Sequence, residues 1–148
     1  GATLEQNIRA VQWAHEAGLS VRADFIIGTP GETEESLKKT LDFALRMKLE
    51  YAHFNKFVPY PGTELYHRLM QEGYAFDFTR GYSITDSDEF SYVPSTISDV
   101  NFYKDFVTFA HKRFYLRPAY IVRRLGSIKT VDELYGQIKG FFSLALLR

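Results

Sequence analysis

Two short motifs have the residue types and spacing of a ligand-binding edge. They are Ile26-Ile27-Gly28-Thr29-Pro30-Gly31-Glu32 and Pro59-Tyr60-Pro61-Gly62-Thr63-Glu64-Leu65-Tyr66, and each closes an apolar run and opens an amphipathic helix. A strand-to-helix turn needs glycine where φ is positive or where a ligand approaches closely, and it presents N–H groups at the helix start. A single Gly-x-x-Gly more often marks a tight turn with a capping glutamate. The pair together predicts a ligand site at the carboxyl ends of parallel strands.

Polar side chains on the two predicted strands are candidates for the same site. Residues 21–28 alternate between an apolar face and a mixed face that carries Asp24 and Ile26, and residues 51–58 carry His53 and Asn55 on one face. In a barrel with outer helices, the mixed faces should point to the interior. Asp24, His53 and Asn55 are therefore either a substrate wall or a satisfied buried hydrogen-bond network, and the sequence favours neither.

Other ionisable residues have weaker patterns. His15, His67 and His111 are isolated on predicted helices without a metal-ligand spacing, so we expect surface histidines and no metal site. A basic cluster in the last third is expected to be a solvated helix face, because the chain has a net charge of zero and no general affinity for nucleic acid. That cluster comprises Lys112, Arg113, Arg117, Arg123 and Arg124.

The composition limits the class of protein. The chain has 148 residues, 45% of them hydrophobic, which is enough for one domain with a core. It has no cysteine, so no disulfide, thiolate zinc site or cysteine-ligated cluster can form within it. The longest apolar stretch, around residues 141–147, is far shorter than the roughly 20 residues that span a bilayer. With no visible signal peptide, these features predict a cytoplasmic protein without membrane partners.

The elements that must position the motifs follow a helix–strand–helix–strand–helix order over residues 1–73. Thr3, Thr33 and Thr63 are expected N-caps, and short connections indicate parallel α/β organisation. Residues 74–98 lack periodicity and are predicted to be an irregular segment across the mouth of the site. Residues 99–148 are predicted to be helical, with an aromatic core stripe between Phe102 and Phe114 and a helix that Gly126 ends.

With the motifs in this order, the chain resembles the radical S-adenosylmethionine (SAM) enzymes. In that family a partial (β/α)₆ barrel carries a Gly-x-Ile-x-Gly-x-x-Gly-Glu pattern on its fifth strand, which lies here over Asp24 to Glu32. The resemblance places Ile26 against the adenine of SAM. Asp24 departs from the pattern, which has glycine there, so the substrate side of the site should differ. The implied cofactor-binding residues are Ile26, Gly28, Pro30, Gly31, Glu32, Val58, Pro59 and Tyr60.

The second motif resembles the branch of that family with an N-terminal cobalamin-binding domain. The family's Cys-x-x-x-Cys-x-x-Cys loop for the 4Fe-4S cluster is absent, so the resemblance implies that cluster ligands and any cobalamin site lie upstream. We therefore expect the C-terminal part of a radical SAM oxidoreductase or methyltransferase, inactive alone, with no catalytic residue of its own and no cofactor bound. The alternative is a non-catalytic α/β binding or interaction module without a cluster.

The resemblance also sets the expected partners, which are the N-terminal part of the same protein and a small-molecule substrate. Two parallel strands cut from a barrel would leave unpaired backbone on both edges. Either the aromatic C-terminal helices or a second copy must cover those edges. We expect a dimer built around residues 21–28 and 51–58.

Overall fold

The computed structural model describes residues 1–76, 92–128 and 130–146. That part of the chain contains six helices and a sheet of two parallel strands. In chain order the elements are α1 (Leu4–Glu16), β1 (Arg22–Ile27), α2 (Glu34–Arg46), β2 (Tyr51–Lys56), α3 (Glu64–Gln71), α4 (Val100–Tyr115), α5 (Pro118–Ser127) and α6 (Val131–Leu146).

The predicted α/β class and parallel pairing are confirmed, with β1 paired to β2 in a register that runs from Arg22 opposite Tyr51 to Ile27 opposite Lys56. Both strands are shorter than predicted, because the chain leaves the sheet at Gly28 and at Phe57, just before the two motifs turn. The two described strands form an open sheet. The (β/α)₆ barrel therefore stays a prediction.

Side-chain caps set the helix starts as the sequence predicts. Thr3, Thr33 and Thr63 each accept a hydrogen bond from the backbone N–H three residues later, and Asp99 caps α4 in the same way. The predicted end of α5 at Gly126 is one residue early, since the helix runs to Ser127. Such a difference lies within the fraying of helix ends.

The core lies between one face of the sheet, α2 and α4. Leu37, Leu41 and Ala44 of α2 are buried there, as the helical spacing predicts. The aromatic stripe of α4 is core at Phe106 and Phe114. The prediction is wrong for Phe109, which is half exposed because its helix position turns it away from the sheet.

Helix α5 and its N-cap residue Arg117 bind the backbone near the amino-terminal end of the sheet. Arg117 Nη1 donates to Leu45 O at 2.6 Å, and Arg123 Nη2 donates to Leu49 O. Tyr120 Oη donates to Glu50 O at 2.9 Å. These bonds satisfy carbonyls in the last turn of α2 and in the α2–β2 connection that have no partner in a helix or sheet. The expectation of a solvated basic face is therefore wrong for both arginines, because their guanidinium groups bind backbone carbonyls.

Among the described residues, no helix is long and apolar enough to cross a membrane. The cytoplasmic location stays a prediction.

Candidate functional site

The first motif forms a turn that its own glutamate closes. Glu32 Oε2 accepts the backbone N–H of Gly28 at 2.5 Å and that of Thr29 at 3.0 Å, and Glu32 N–H donates to Thr29 O at 3.0 Å. The N–H groups that the sequence offered to a ligand at this turn are thus bound to a carboxylate of the same motif. Glu32 is therefore the capping glutamate of a tight turn, which was the simpler interpretation of the motif. Its hydrogen bonds fix the turn beside the end of β1.

Gly28 has a second reason to be glycine. Its φ of +86° lies in the left-handed region, and a Cβ at this position would stand 2.0 Å from Tyr103 Oη. The Tyr103 hydroxyl in turn donates to Tyr92 O at 3.0 Å. Gly28 therefore lets α4 approach the end of β1, and the residue is buried under Tyr103.

The second motif lies beside the first. Phe57 N–H donates to Ile27 O at 2.7 Å, so the two strand ends leave the sheet together. Pro59 is buried and Tyr60 is half exposed, and the carbonyl of Tyr60 accepts both the N–H and the hydroxyl of Thr63. The structure therefore brings the two predicted motifs to one edge, at the carboxyl ends of both strands.

Aromatic rings pack against this edge. Tyr92 lies 6.1 Å from Phe57 and 4.9 Å from Tyr74, measured between ring centroids. Burial raises the pKa of the Tyr92 phenol to about 12, so the ring is neutral at physiological pH. The described ends of the predicted irregular segment thus lie at the carboxyl edge, and its middle lies outside the described residues.

Glu34 holds the chain that leads into α4. Its Oε1 accepts the backbone N–H of Ser98 at 3.1 Å, the Ser98 hydroxyl at 2.9 Å and the N–H of Asp99 at 2.9 Å. These hydrogen bonds lower the pKa of the Glu34 carboxyl, and the bond from Asp99 N–H has the largest effect. Thr96 adds a bond from its hydroxyl to Glu32 O. The acidic residues after the first motif therefore join α2 to the start of α4.

The open face of the sheet carries the predicted substrate-wall residues. Asp24 lies opposite His53, and Ile26 lies opposite Asn55. Asp24 Oδ2 is 3.3 Å from Arg22 Nε, and Asp24 Oδ1 is 3.9 Å from His53 Nδ1. Ile26 is 60% exposed although its neighbours Ile27 and Phe54 are fully buried on the other face. The predicted division into an apolar helix-facing side and a mixed side is confirmed.

Helix α4 closes the outer edge of β2. Tyr115 Oη accepts the N–H of Ala52 at 3.0 Å and donates to Ala52 O at 2.9 Å, and His111 Nε2 accepts the N–H of Phe54 at 3.4 Å. His111 Nδ1 contacts Val107 O at 2.9 Å, which fixes the proton on that nitrogen. The prediction of a surface histidine is wrong for His111. The signal in the sequence was the i,i+4 spacing of His111 and Tyr115, two polar residues on a helix rich in aromatic residues.

Burial shifts both of these edge groups. It lowers the pKa of His111, and the nearby His53 lowers it further, while the bond to Val107 O opposes the shift. Burial likewise raises the pKa of Tyr115. Both side chains are thus kept neutral where they meet the strand backbone.

The residues present include an apolar contact surface for a ring but no ligand for the cluster. An exposed isoleucine beside a glycine-rich strand exit is suited to contact an apolar ring face. The chain has no cysteine, and its described residues contain no group of three or more His, Cys, Asp or Glu that could hold a metal. No cluster ligand can therefore be assigned here.

Two concave regions lie away from the carboxyl edge. A groove of about 630 Å³ follows the outer edge of β1 between α1 and α2. An apolar cavity of about 520 Å³ lies between α5 and α6, near Tyr51 at the amino-terminal end of β2.

Comparisons with known proteins match about half of the chain. The chain is 44% identical over 66 residues to an uncharacterized methyltransferase of Pyrococcus horikoshii, which covers 45% of the chain and 14% of the relative. It is 32% identical over 83 residues to the anaerobic magnesium-protoporphyrin IX monomethyl ester cyclase of Rubrivivax gelatinosus, covering 56% and 15%. No family model matches the chain.

A third relative is the tRNA-2-methylthio-N(6)-dimethylallyladenosine synthase of Paracoccus denitrificans, 34% identical over 77 residues, covering 51% of the chain and 17% of the relative. The chain thus spans about a sixth of the length of these relatives. The relatives are radical SAM-type enzymes.

Proposed function

We propose that the chain is the C-terminal part of a radical SAM iron–sulfur enzyme, either an oxidoreductase or a methyltransferase. Its open sheet face would form part of the adenine pocket and of the substrate wall. The observation that carries the proposal is the placement of both motifs side by side at one sheet edge, with Ile26 exposed next to them. Similarity to radical SAM-type relatives over about half of the chain supports it.

Each part of the edge has a distinct role in this proposal. Ile26 contacts the adenine ring and excludes water from it. The turn of Gly28, Pro30, Gly31 and Glu32 fixes the backbone at the end of β1 beside Ile26. It does so because the Glu32 carboxylate accepts hydrogen bonds from the backbone of the turn. The second motif continues the wall through residues 58–60. When bound, SAM would supply a methyl group or a carbon-centred radical, chemistry that belongs to the cofactor.

The cluster belongs to another part of the protein in this proposal. A 4Fe-4S cluster needs cysteine thiolates, and the chain has none. The partner of this chain is then the upstream part of the same polypeptide, which would also carry any cobalamin domain. The 148-residue chain alone is expected to hold no iron and to bind SAM weakly.

The full-length protein provides the test. After anaerobic reconstitution with iron and sulfide, it should convert SAM to 5′-deoxyadenosine or to a demethylated product when dithionite is added. The gene should encode a Cys-x-x-x-Cys-x-x-Cys loop upstream of Gly1. A gene that starts near Gly1, or a reconstituted protein that leaves SAM intact, would instead favour the non-catalytic module.

A further inference from the structure

The open face contains a carboxylate–imidazole pair that bridges the two strands. Asp24 and His53 are register partners, and their side chains stand on the same side of the sheet with Nδ1 and Oδ1 3.9 Å apart. The second carboxylate oxygen contacts Arg22 Nε at 3.3 Å. The Asp24 carboxylate is therefore placed between two cationic or donor groups, one on its own strand and one on the neighbour.

The pair lies farther from the carboxyl edge of the sheet than Ile26, the proposed adenine contact. Ile26 and Asn55 are the next register pair on the same face of the sheet toward the carboxyl edge. Asp24 also stands where the family pattern has glycine, so a glycine there would leave the imidazole without this carboxylate. The contact is thus a feature of this chain, produced by one residue on each strand.

We propose that His53 contacts the substrate and that Asp24 positions its ring. This inference rests on the proposed function. At 3.9 Å, Asp24 Oδ1 and His53 Nδ1 are too far apart for a hydrogen bond, but the carboxylate charge attracts an N–H dipole that points toward it, so it favours the tautomer with the proton on the facing nitrogen. In the neutral ring, Nε2 then has the free lone pair. His53 is therefore a hydrogen-bond acceptor on the open face, and it selects a substrate that presents an N–H or O–H donor to the wall beside the adenine.

The geometry suits such a role better than a structural one. The side chains of Asp24 and His53 are 47% and 51% exposed, and exposed ion pairs add little to stability. The packed face holds the fold without them. Polar contacts in a substrate site also commonly shorten when a substrate excludes water. The pair is placed to orient a ring, and its contribution to folding is small.

The first test reads the tautomer of His53 in the 148-residue chain at pH 8. Long-range ¹H–¹⁵N spectra of histidine-labelled protein should show the proton of His53 on Nδ1, with the signal assigned through its loss in His53→Gln. In Asp24→Ala the population should move at least twofold toward Nε2–H. Asp24→Gly is the second variant, and Arg22→Gln, which removes only the other contact of Asp24, should leave the tautomer unchanged.

Equal tautomer populations in the native chain and in both Asp24 variants would overturn the positioning role. This readout needs neither SAM nor the cluster. Its failure is therefore distinguishable from failure of the proposed function.

The second test separates the substrate side from the SAM side in the reconstituted full-length protein. In equilibrium dialysis, His53→Gln and Asp24→Ala should bind SAM with an affinity within about twofold of that of the native protein. A tenfold loss would place His53 against SAM and overturn the substrate assignment. A native protein that forms no product from SAM refutes the proposed function, while the tautomer still decides the role of Asp24.

Discussion

The two faces of one small sheet differ in almost every property. On the packed face, Ala52, Phe54 and Ile27 are buried against α2 and α4, and Phe54 stacks on Phe25 at 5.2 Å between ring centroids. On the open face, the register partners Asp24 and His53 are half exposed beside an isoleucine that is 60% exposed.

Strand alternation produces this contrast from neighbouring residues. The packed face has apolar surface and rings whose burial is favourable, whereas the open face has charged groups at Arg22, Asp24 and His53 that contact each other. One face therefore stabilises the fold, and the other is exposed among the described residues.

The largest effect should come from the packed face. Phe54→Ala removes a fully buried ring that contacts Phe25, Phe114 and His111, so it should lower the free energy of unfolding by about 3–5 kcal/mol. Its matched control is Asn55→Ala, one residue later on the open face, which should change stability by less than about 0.5 kcal/mol. Urea denaturation followed by circular dichroism measures both. Similar losses in the two variants would remove the distinction between the faces.

The sheet edge should give the next largest effect. Tyr115→Phe deletes the hydroxyl that accepts a hydrogen bond from Ala52 N–H and donates one to Ala52 O. Because both backbone groups lose this partner, the free energy of unfolding should fall by about 1–3 kcal/mol. The amide of Ala52 should also exchange faster with deuterium. Tyr135→Phe on the exposed surface of α6 is the control and should leave stability and exchange unchanged. An unaltered Ala52 amide in Tyr115→Phe would show that α4 does not close this edge.

Acid should weaken the same edge through His111. Its pKa is lowered in the folded chain, chiefly by burial, so the unfolded chain binds the proton more readily. The stabilisation is full above the ordinary histidine value of about 6.5 and is lost as the pH falls below it. Urea midpoints between pH 8 and pH 5 should therefore decline more in the native chain than in His111→Gln. Parallel declines would exclude His111 as the source.

Self-association should be the smallest effect, and the structure narrows where it can occur. The outer edge of β2 is closed by α4, so the dimer expected around both strands is now predicted at β1 alone, along the groove beside α1. Sedimentation velocity should show a mass that rises with concentration. Arg22→Pro, which removes an edge N–H at the start of the strand, should abolish the rise. A native chain that stays monomeric throughout would refute this interface.

Much of the fold followed from the sequence because its signals are local. Threonine caps, helical spacing and apolar alternation each act within a few residues, and they located α1, α2, α3 and both strands. The alternation also assigned the two strand faces correctly. What the sequence left open was long-range. Arg117 and Arg123 were predicted to be solvated because nothing nearby in the sequence offers their carbonyl partners, which lie 72 and 74 residues earlier.

The meeting of the two motifs was predicted from the sequence, and the contacts around them were predicted less well. Both motifs reach one edge, as parallel strands require. The roles of Tyr103 and Tyr115 beside that edge were missed, since each depends on α4 crossing the sheet. The bond from Glu32 to the turn is local, and the sequence offered it as the simpler interpretation. When a helix side chain binds a strand edge, the sequence shows only polar residues at i,i+4 spacing. In α4 these residues are His111 and Tyr115.

The most direct test of the account is whether the open face contacts SAM. Equilibrium dialysis of the reconstituted full-length protein should show that Ile26→Asp weakens SAM binding at least about tenfold, because the acid loses the apolar contact and must be desolvated against the ring. Val122→Asp is the control, since Val122 is an apolar residue 69% exposed on α5. It should bind SAM as the native protein does. Equal affinities in Ile26→Asp and the native protein would contradict the account.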